Sequence, residues 1–294
     1  MYVVNYKKHL DRSRRLGDDE FYTRVEDVSR QVGVYKDYFE GSTVYCNCDS
    51  SHSAFYEYFL TNFRDLGLDG LVATGINPDF DFCGERTVYD GNSLTFSAFR
   101  DDRGMFDYPK NLELLKRDNL ILCTNPPFSL LRDFLPMVFD SGVKFLLLVP
   151  VFIYGYKDIA PYLIKDNVFW AAEGTEKKFV FGRPGGGEML NKNCHFITNI
   201  GERPRYDFPL VDNPIGDYER FDFRPDVIEV GSYLNIPDNY YGKIAVPITY
   251  MFRHDPRRFE IVDVYRNYLF VNGKEKFKRI VIRRVMPSPL GVWV

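Results

Sequence analysis

Asn125-Pro126-Pro127-Phe128 closes the apolar run Leu120-Ile121-Leu122-Cys123-Thr124, and this set of residues is suited to holding a planar amine. The Asn125 side-chain oxygen and the Pro126 carbonyl each offer an acceptor for one N–H, and Phe128 offers a ring face to whatever carries the amine. Pro127 fixes its own φ and removes a competing backbone donor. A Pro-Pro turn can also do no more than end a strand. At average residue usage, however, Asn-Pro-Pro-Phe/Tyr arises by chance in only roughly one chain in several hundred of this length. The pattern points to chemistry on an exocyclic amine, and methylation is the reaction it suggests.

The elements around the motif predict where it sits. An apolar strand over 120–123, the motif, and then Ser129-Leu130-Leu131-Arg132-Asp133-Phe134-Leu135 read as strand, loop and helix, the last bent near Pro136. Ligands of open α/β sheets bind at such carboxyl-end crossovers. Upstream, Val25, Val28, Val32, Tyr35 and Phe39 recur at helical spacing, and Gly41 ends that helix. Thr43-Val44-Tyr45-Cys46-Asn47-Cys48 reads as a strand, with Cys46 and Cys48 on one face. Asp49-Ser50-Ser51-His52-Ser53 is rich in N-cap residue types and precedes a helix carrying Phe55, Phe59, Phe63 and Leu66, stopped at Gly67.

Residues 70–74 read as the next strand, while 77–118 show no strong period before Leu112. The nearly continuous apolar run 143–149 predicts a strand covered on both faces. Strands alternating with helices imply an α/β fold with a doubly wound, mainly parallel sheet. Beyond about residue 200 the pattern changes to short aromatic strands separated by Pro and Asp-Pro turns. The expected division is therefore a domain over 1–200 and a smaller strand-rich region over 201–294.

Composition narrows the function classes. The chain has 294 residues and a net charge of −3, but residues 241–294 hold eleven Lys/Arg against four Asp/Glu, a local +7 that leaves −10 for the rest. A basic tail on an acidic body suits a polyanion at one end of the molecule, or a merely solvated strand face. Five cysteines with no C-x-x-C pair and four histidines argue against both a disulfide framework and a metal site. No apolar run reaches the length of a membrane helix and no signal-like segment follows the charged start, so the expected location is the cytoplasm.

The order of several short segments resembles the EcoRI-type family of adenine-specific DNA methyltransferases. They are Asp19-Glu20-Phe21-Tyr22-Thr23, Val44-Tyr45-Cys46-Asn47-Cys48-Asp49, Ser53-Ala54-Phe55, Thr124-Asn125-Pro126-Pro127-Phe128-Ser129, Phe196-Ile197-Thr198-Asn199, Val246-Pro247-Ile248-Thr249 and Lys278-Arg279-Ile280-Val281-Ile282-Arg283-Arg284. The resemblance implies a Rossmann-like fold of the class I methyltransferase type, S-adenosylmethionine as donor, and the N6 amine of a flipped-out adenine in double-stranded DNA as acceptor. It implies a cofactor site of Phe21, Tyr22, Thr23, Asp49, Ser53, Phe55 and Phe99, and catalysis at Asn125, Pro126, Pro127 and Phe128. It also makes a cognate restriction endonuclease a candidate partner.

Within that resemblance, Phe181 and Phe196 are candidates to stack on the base opposite Phe128. Lys177, Lys178 and Arg183, on a glycine-rich segment that equally reads as a surface loop, are candidate DNA contacts, as are Lys278, Arg279, Arg283 and Arg284. Two departures stand out. Ser97-Ala98-Phe99-Arg100 has Ala98 where relatives carry an acid expected to hold the cofactor's adenine, and His195 stands where relatives often place a tryptophan. The motif alone leaves cytosine, RNA adenine and protein glutamine as other acceptors, and Ala98 leaves a catalytically degenerate DNA-binding protein as a further alternative.

Overall fold

The computed structural model of the protein describes residues 23–77, 83–99, 104–166, 168–175, 179–181, 190–267 and 269–286. The chain divides into two compact units, Met1–Pro150 with Ala172–Glu202, and Val151–Ala171 with Arg203–Val294. Among the described residues, no helix is long and apolar enough to cross a membrane.

The first unit is built on a mixed sheet. Its strands are β1 (Thr43–Asn47), β2 (Gly70–Asn77), β3 (Cys83–Tyr89), β4 (Leu94–Phe99), β5 (Leu120–Thr124), β6 (Lys144–Pro150) and β7 (Cys194–Thr198), adjacent in the order β4-β3-β2-β1-β5-β6-β7. The four central strands are parallel. The expected parallel sheet thus forms its centre, and its flanks are antiparallel: β3 pairs with β2, β4 with β3, and β7 with β6. The β3–β4 hairpin lies within 77–118, where no element was expected. Its turn explains the direction: Gly91 has φ +88°, and the Asp90 carboxylate accepts from the amides of Asn92 and Ser93 at 2.9 and 2.7 Å. So short a turn joins only antiparallel neighbours.

Helices cover both faces. The apolar stripe of α1 (Val25–Val34) and the buried face of α2 (Ala54–Thr61) place Val28, Val32, Phe55 and Phe59 in one core with Val44, Cys46, Ile121, Leu146 and Leu148. Each such side chain contributes roughly 1.5–3 kcal/mol by leaving water. On the other face Phe139 of α3 (Leu131–Ser141) packs against Phe145 of β6, ring centroids 5.6 Å apart. Pro136 lies inside α3, as the sequence led us to expect. From β1 the chain builds β2 on one side and later β5 on the other. The carboxyl ends of β1 and β5 therefore lie side by side where the order reverses, the usual ligand position in open α/β sheets.

The second unit contains a five-stranded sheet of β8 (Arg220–Phe221), β9 (Arg224–Glu229), β10 (Lys243–Pro247), β12 (Arg279–Arg284) and β11 (Phe259–Tyr265), in that spatial order. Val227, Ala245, Val271 and Val281 lie in its core. In both units side chains alternate across the strands, so a polar residue facing the core needs a partner there.

Candidate active site

The fully buried strand β5 delivers Thr124 to the carboxyl edge of the sheet. The Thr124 hydroxyl lies against both the Asn47 carbonyl at the end of β1 and the Asp49 carboxylate just beyond it and shares its one proton between them. Asp49 also accepts from the Ser53 hydroxyl and from the backbone N–H of Asn125. Two segments distant in sequence, the loop from β1 into α2 and the end of β5, thus meet at one carboxylate. Burial dominates its titration and pushes its pKa up to about 7, against the lowering effect of the three hydrogen bonds.

Ser53, and not Asp49, caps α2: its hydroxyl accepts from the Tyr56 amide at 3.1 Å. The turn before Asp49 needs left-handed backbone, and Cys48 supplies it with φ +79°, where a glycine carries no steric penalty. This corrects the expectation that Cys46 and Cys48 share a strand face, because Cys48 lies past the end of β1. The Cys48 amide donates to the Thr74 carbonyl at 2.9 Å.

Residues that drew no notice in the sequence close the back of this loop. Gly75 runs so near it that a Cβ there would lie 2.8 Å from the Asp49 carbonyl carbon, and one on Gly104 would lie 2.6 Å from the Gly84 Cα. The buried Glu85 accepts from the Ser51 amide at 2.5 Å. The only local signal was a run of isolated glycines in strand-like sequence, which marks close backbone approach.

After Thr124, Asn125 is partly exposed, Pro126 is buried, and Pro127 and Phe128 are partly exposed. Pro127 leads into a tight helical turn over Phe128–Leu130, where the Leu130 amide donates to the Pro127 carbonyl at 3.0 Å. The Phe128 ring stands edge-on to Phe181 at 6.4 Å, Phe181 is 6.2 Å from Phe179, Phe179 is 5.8 Å from Phe196, and Phe196 is 6.2 Å from Phe55. A continuous file of rings therefore joins the motif to α2.

The structure brings together Asp49, Ser53 and Asn125, and through the ring file Phe55, Phe128, Phe181 and Phe196. Phe181 and Phe196 are wholly buried, so both pack within the core and present no free face to a base. His195 is also buried, against the Val149 carbonyl, and burial pushes its pKa down to about 3. Thr198 and Asn199 brace the start of β6: Thr198 donates to the Phe145 carbonyl at 2.7 Å and Asn199 to the Val143 carbonyl at 2.9 Å. Phe99 ends β4 opposite Gly84, and Ala98 is exposed on that edge strand.

Thr23 Oγ1 and Asn47 Nδ2 are among the buried polar atoms of this unit with no hydrogen-bond partner among the described residues. The Asn47 amide N–H can donate to the carboxylate of an amino-acid ligand, and the Thr23 hydroxyl can donate to that carboxylate or accept from the ammonium. Phe21, Tyr22, Lys177, Lys178 and Arg183 lie outside the described residues.

In the second unit, Arg279 corrects its expected role. It is buried and pairs with Glu229, Nη2 to Oε1 at 2.7 Å and Nε to Oε2 at 3.0 Å. Its planar fork is spent on a carboxylate that would otherwise be an isolated buried charge. Arg283 is exposed and pairs with Glu260 at 2.6 Å, and Arg284 lies 5.3 Å over the Tyr241 ring.

Residues 9–284 match the family described as adenine-specific methyltransferase EcoRI. The chain belongs to that family. Among its relatives, the Type II methyltransferase M.EcoRI of Escherichia coli is 30% identical over 322 residues, covering 94% of this chain and 96% of its own. The Type II methyltransferase M.MgeORF184P of Mycoplasma genitalium is 27% identical over 319 residues, covering 94% and 98%, and M.MpnI of Mycoplasma pneumoniae shows the same identity and coverage. No solved structure matches the chain. Family membership covers both units, and the Asn125 motif lies within the matched span.

Proposed function

We propose that this member of the family transfers a methyl group from S-adenosylmethionine to the N6 amine of an adenine turned out of duplex DNA. In this reading, residues 1–200 form a Rossmann-like domain of the class I methyltransferase type and residues 201–294 a recognition region. The parallel centre of the sheet and the reversal at β1 support the fold assignment. The observation that carries the function is the junction at Asp49, where the loop after β1, the start of α2 and the Asn125 backbone share one carboxylate. It ties a loop suited to a cationic ligand to a motif suited to an amine.

Thr23, Asn47, Asp49, Ser53 and Phe99, with Phe21 and Tyr22, would hold the cofactor, and Phe55 packs in the core behind them. When bound, S-adenosylmethionine supplies an electrophilic methyl group. The Asp49 carboxylate favours a positive charge beside it, and the Thr23 and Asn47 groups gain the partners they lack among the described residues.

On the acceptor side, Asn125 Oδ1 and the Pro126 carbonyl receive the two N–H bonds of the adenine amine. That fixes the amine in space and localises its lone pair toward the incoming carbon. Pro127 holds the turn, Phe128 takes one face of the purine, and Phe181 braces Phe128 edge-on. No residue need remove a proton beforehand, because the nitrogen becomes acidic only after it is methylated. Taking the base out of the stack costs a few kcal/mol, which stacking on Phe128 offsets in part. Lys278, Arg283 and Arg284, with Lys177, Lys178 and Arg183, would contact phosphates, while Arg279 stays in the scaffold.

The test is to incubate the protein with methyl-labelled S-adenosylmethionine and mixed-sequence duplex DNA, then digest the DNA to nucleosides. The expected product is labelled N6-methyldeoxyadenosine. Label in N4-methylcytosine, RNA adenine or protein glutamine would reassign the acceptor, and no label on any of them would overturn the proposal.

A further inference from the structure

Residues about 120 positions apart build one surface feature in the second unit. The Lys278 ammonium lies over two rings, 5.5 Å from the Tyr156 centroid and 5.8 Å from that of Phe277. The Phe152 ring stands edge-on to Tyr156 at 5.6 Å. Phe277 is 63% exposed and Phe152 is 41% exposed, although large apolar rings gain most from burial.

The patch is held in place from beneath. A Cβ on Gly155 would overlap Lys278 Cδ, so only glycine there lets the lysine stem lie flat. Arg279, anchored on Glu229, donates from Nη1 to the carbonyls of Phe277 at 2.9 Å and Lys278 at 3.3 Å. The buried ion pair thereby fixes the backbone that presents the exposed ring and its neighbouring cation.

We propose that Phe152, Tyr156, Phe277 and Lys278 form a second DNA contact, in which an exposed ring wedges against a partly unstacked base step of the duplex and Lys278 meets the adjoining phosphate. The inference rests on the DNA-acting reading above and extends it to a site outside the Asn125 motif. Exposed rings on a rigid mount, interleaved with a cation, are what such a wedge requires. The surrounding segment, +7 over residues 241–294, is complementary in charge to a DNA backbone.

The experiment measures the full-length protein's affinity for a fluorescent duplex by anisotropy across a salt series, with methylation of the same duplex assayed in parallel. Phe152→Ser with Phe277→Ser is expected to weaken binding roughly 10- to 100-fold without changing the salt slope or melting temperature. Lys278→Ala should reduce the salt slope by about one unit, and Lys278→Arg should restore it. Photo-crosslinking of the wild-type protein to 5-iododeoxyuridine DNA should label the peptides carrying Phe152, Tyr156 or Phe277. Methylation of the duplex with unchanged affinity in the double variant and no crosslink in these peptides would overturn the patch and leave the catalytic reading intact. A wild-type protein without affinity for DNA would overturn both.

Discussion

The backbone amide of Asn125 donates a hydrogen bond to the Asp49 carboxylate. The residue proposed to grip the acceptor amine is thus fixed in space by the residue proposed to attract the donor. The bond uses the main chain, so the Asn125 side-chain oxygen is not consumed by it. Thr124 donates to Asp49 from the preceding position, and the two consecutive donors leave the strand end little freedom relative to the loop after β1.

This junction makes stability depend on pH in a definite direction. The Asp49 pKa rises from 3.8 unfolded to about 7 folded, so the native state holds its proton more tightly. Its favourable contribution is complete below about pH 4 and is lost as pH rises through about 7, by an amount on the order of 4 kcal/mol at most. Asp49→Asn should therefore gain melting temperature relative to wild type between pH 4 and 7, with a constant difference above. A difference that shrinks with rising pH would contradict the assignment. At pH 8 the same variant should raise the KM for S-adenosylmethionine far more than it lowers kcat.

Gly75 and Gly33 form a matched pair of alanine substitutions. Gly75→Ala places a methyl group against the Asp49–Ser50 backbone and should cost roughly 1–3 kcal/mol while raising the KM for the cofactor. Gly33 lies in α1, and a Cβ added there would meet no atom within 4 Å, so Gly33→Ala should stabilise by roughly 0.5–1 kcal/mol and leave kinetics unchanged. Thermal melts and initial rates measure both. Equal effects at the two sites would show that the close approach at Gly75 does not hold the loop.

Arg279→Met should destabilise the protein by roughly 3–5 kcal/mol, because Glu229 is left charged and buried. Arg279→Met with Glu229→Leu should recover most of that loss in chemical denaturation. Arg283→Ala with Arg284→Ala should instead lower DNA affinity and flatten its salt dependence at unchanged stability. If the double replacement at 279 and 229 is no better than Arg279→Met, the ion pair is not the source of the cost.

Local features were readable in the sequence and cross-chain ones were not. The stripe from Val25 to Phe39 and the strand before Asn125 depend on neighbours within a turn or two, so spacing revealed them, but α1 and α2 end at Val34 and Thr61, short of the expected stops at Gly41 and Gly67. The β3–β4 hairpin escaped because Leu94, Thr95 and Phe96 are exposed on both faces of an edge strand, which erases the alternation that identifies strands. Thr124 and Glu85 act through partners 75 and 34 positions away, separations that no periodicity encodes. Arg279 and Arg283 look alike in Lys278-Arg279-Ile280-Val281-Ile282-Arg283-Arg284. Only the strand register shows that one meets buried Glu229 and the other exposed Glu260. Phe196 and Phe128 are chemically identical, and burial alone separates a core ring from one available to a ligand.

In the proposed site the Asn125 side chain holds the acceptor amine while its backbone holds Asp49. Asn125→Ala removes the first interaction and keeps the second. Calorimetric binding of S-adenosylmethionine and single-turnover methyl transfer to duplex DNA should be measured on the same preparation. Cofactor affinity should stay within a few-fold of wild type while the transfer rate falls by about 10²–10³. Transfer at the wild-type rate, or loss of cofactor binding in a folded variant, would contradict this role of Asn125.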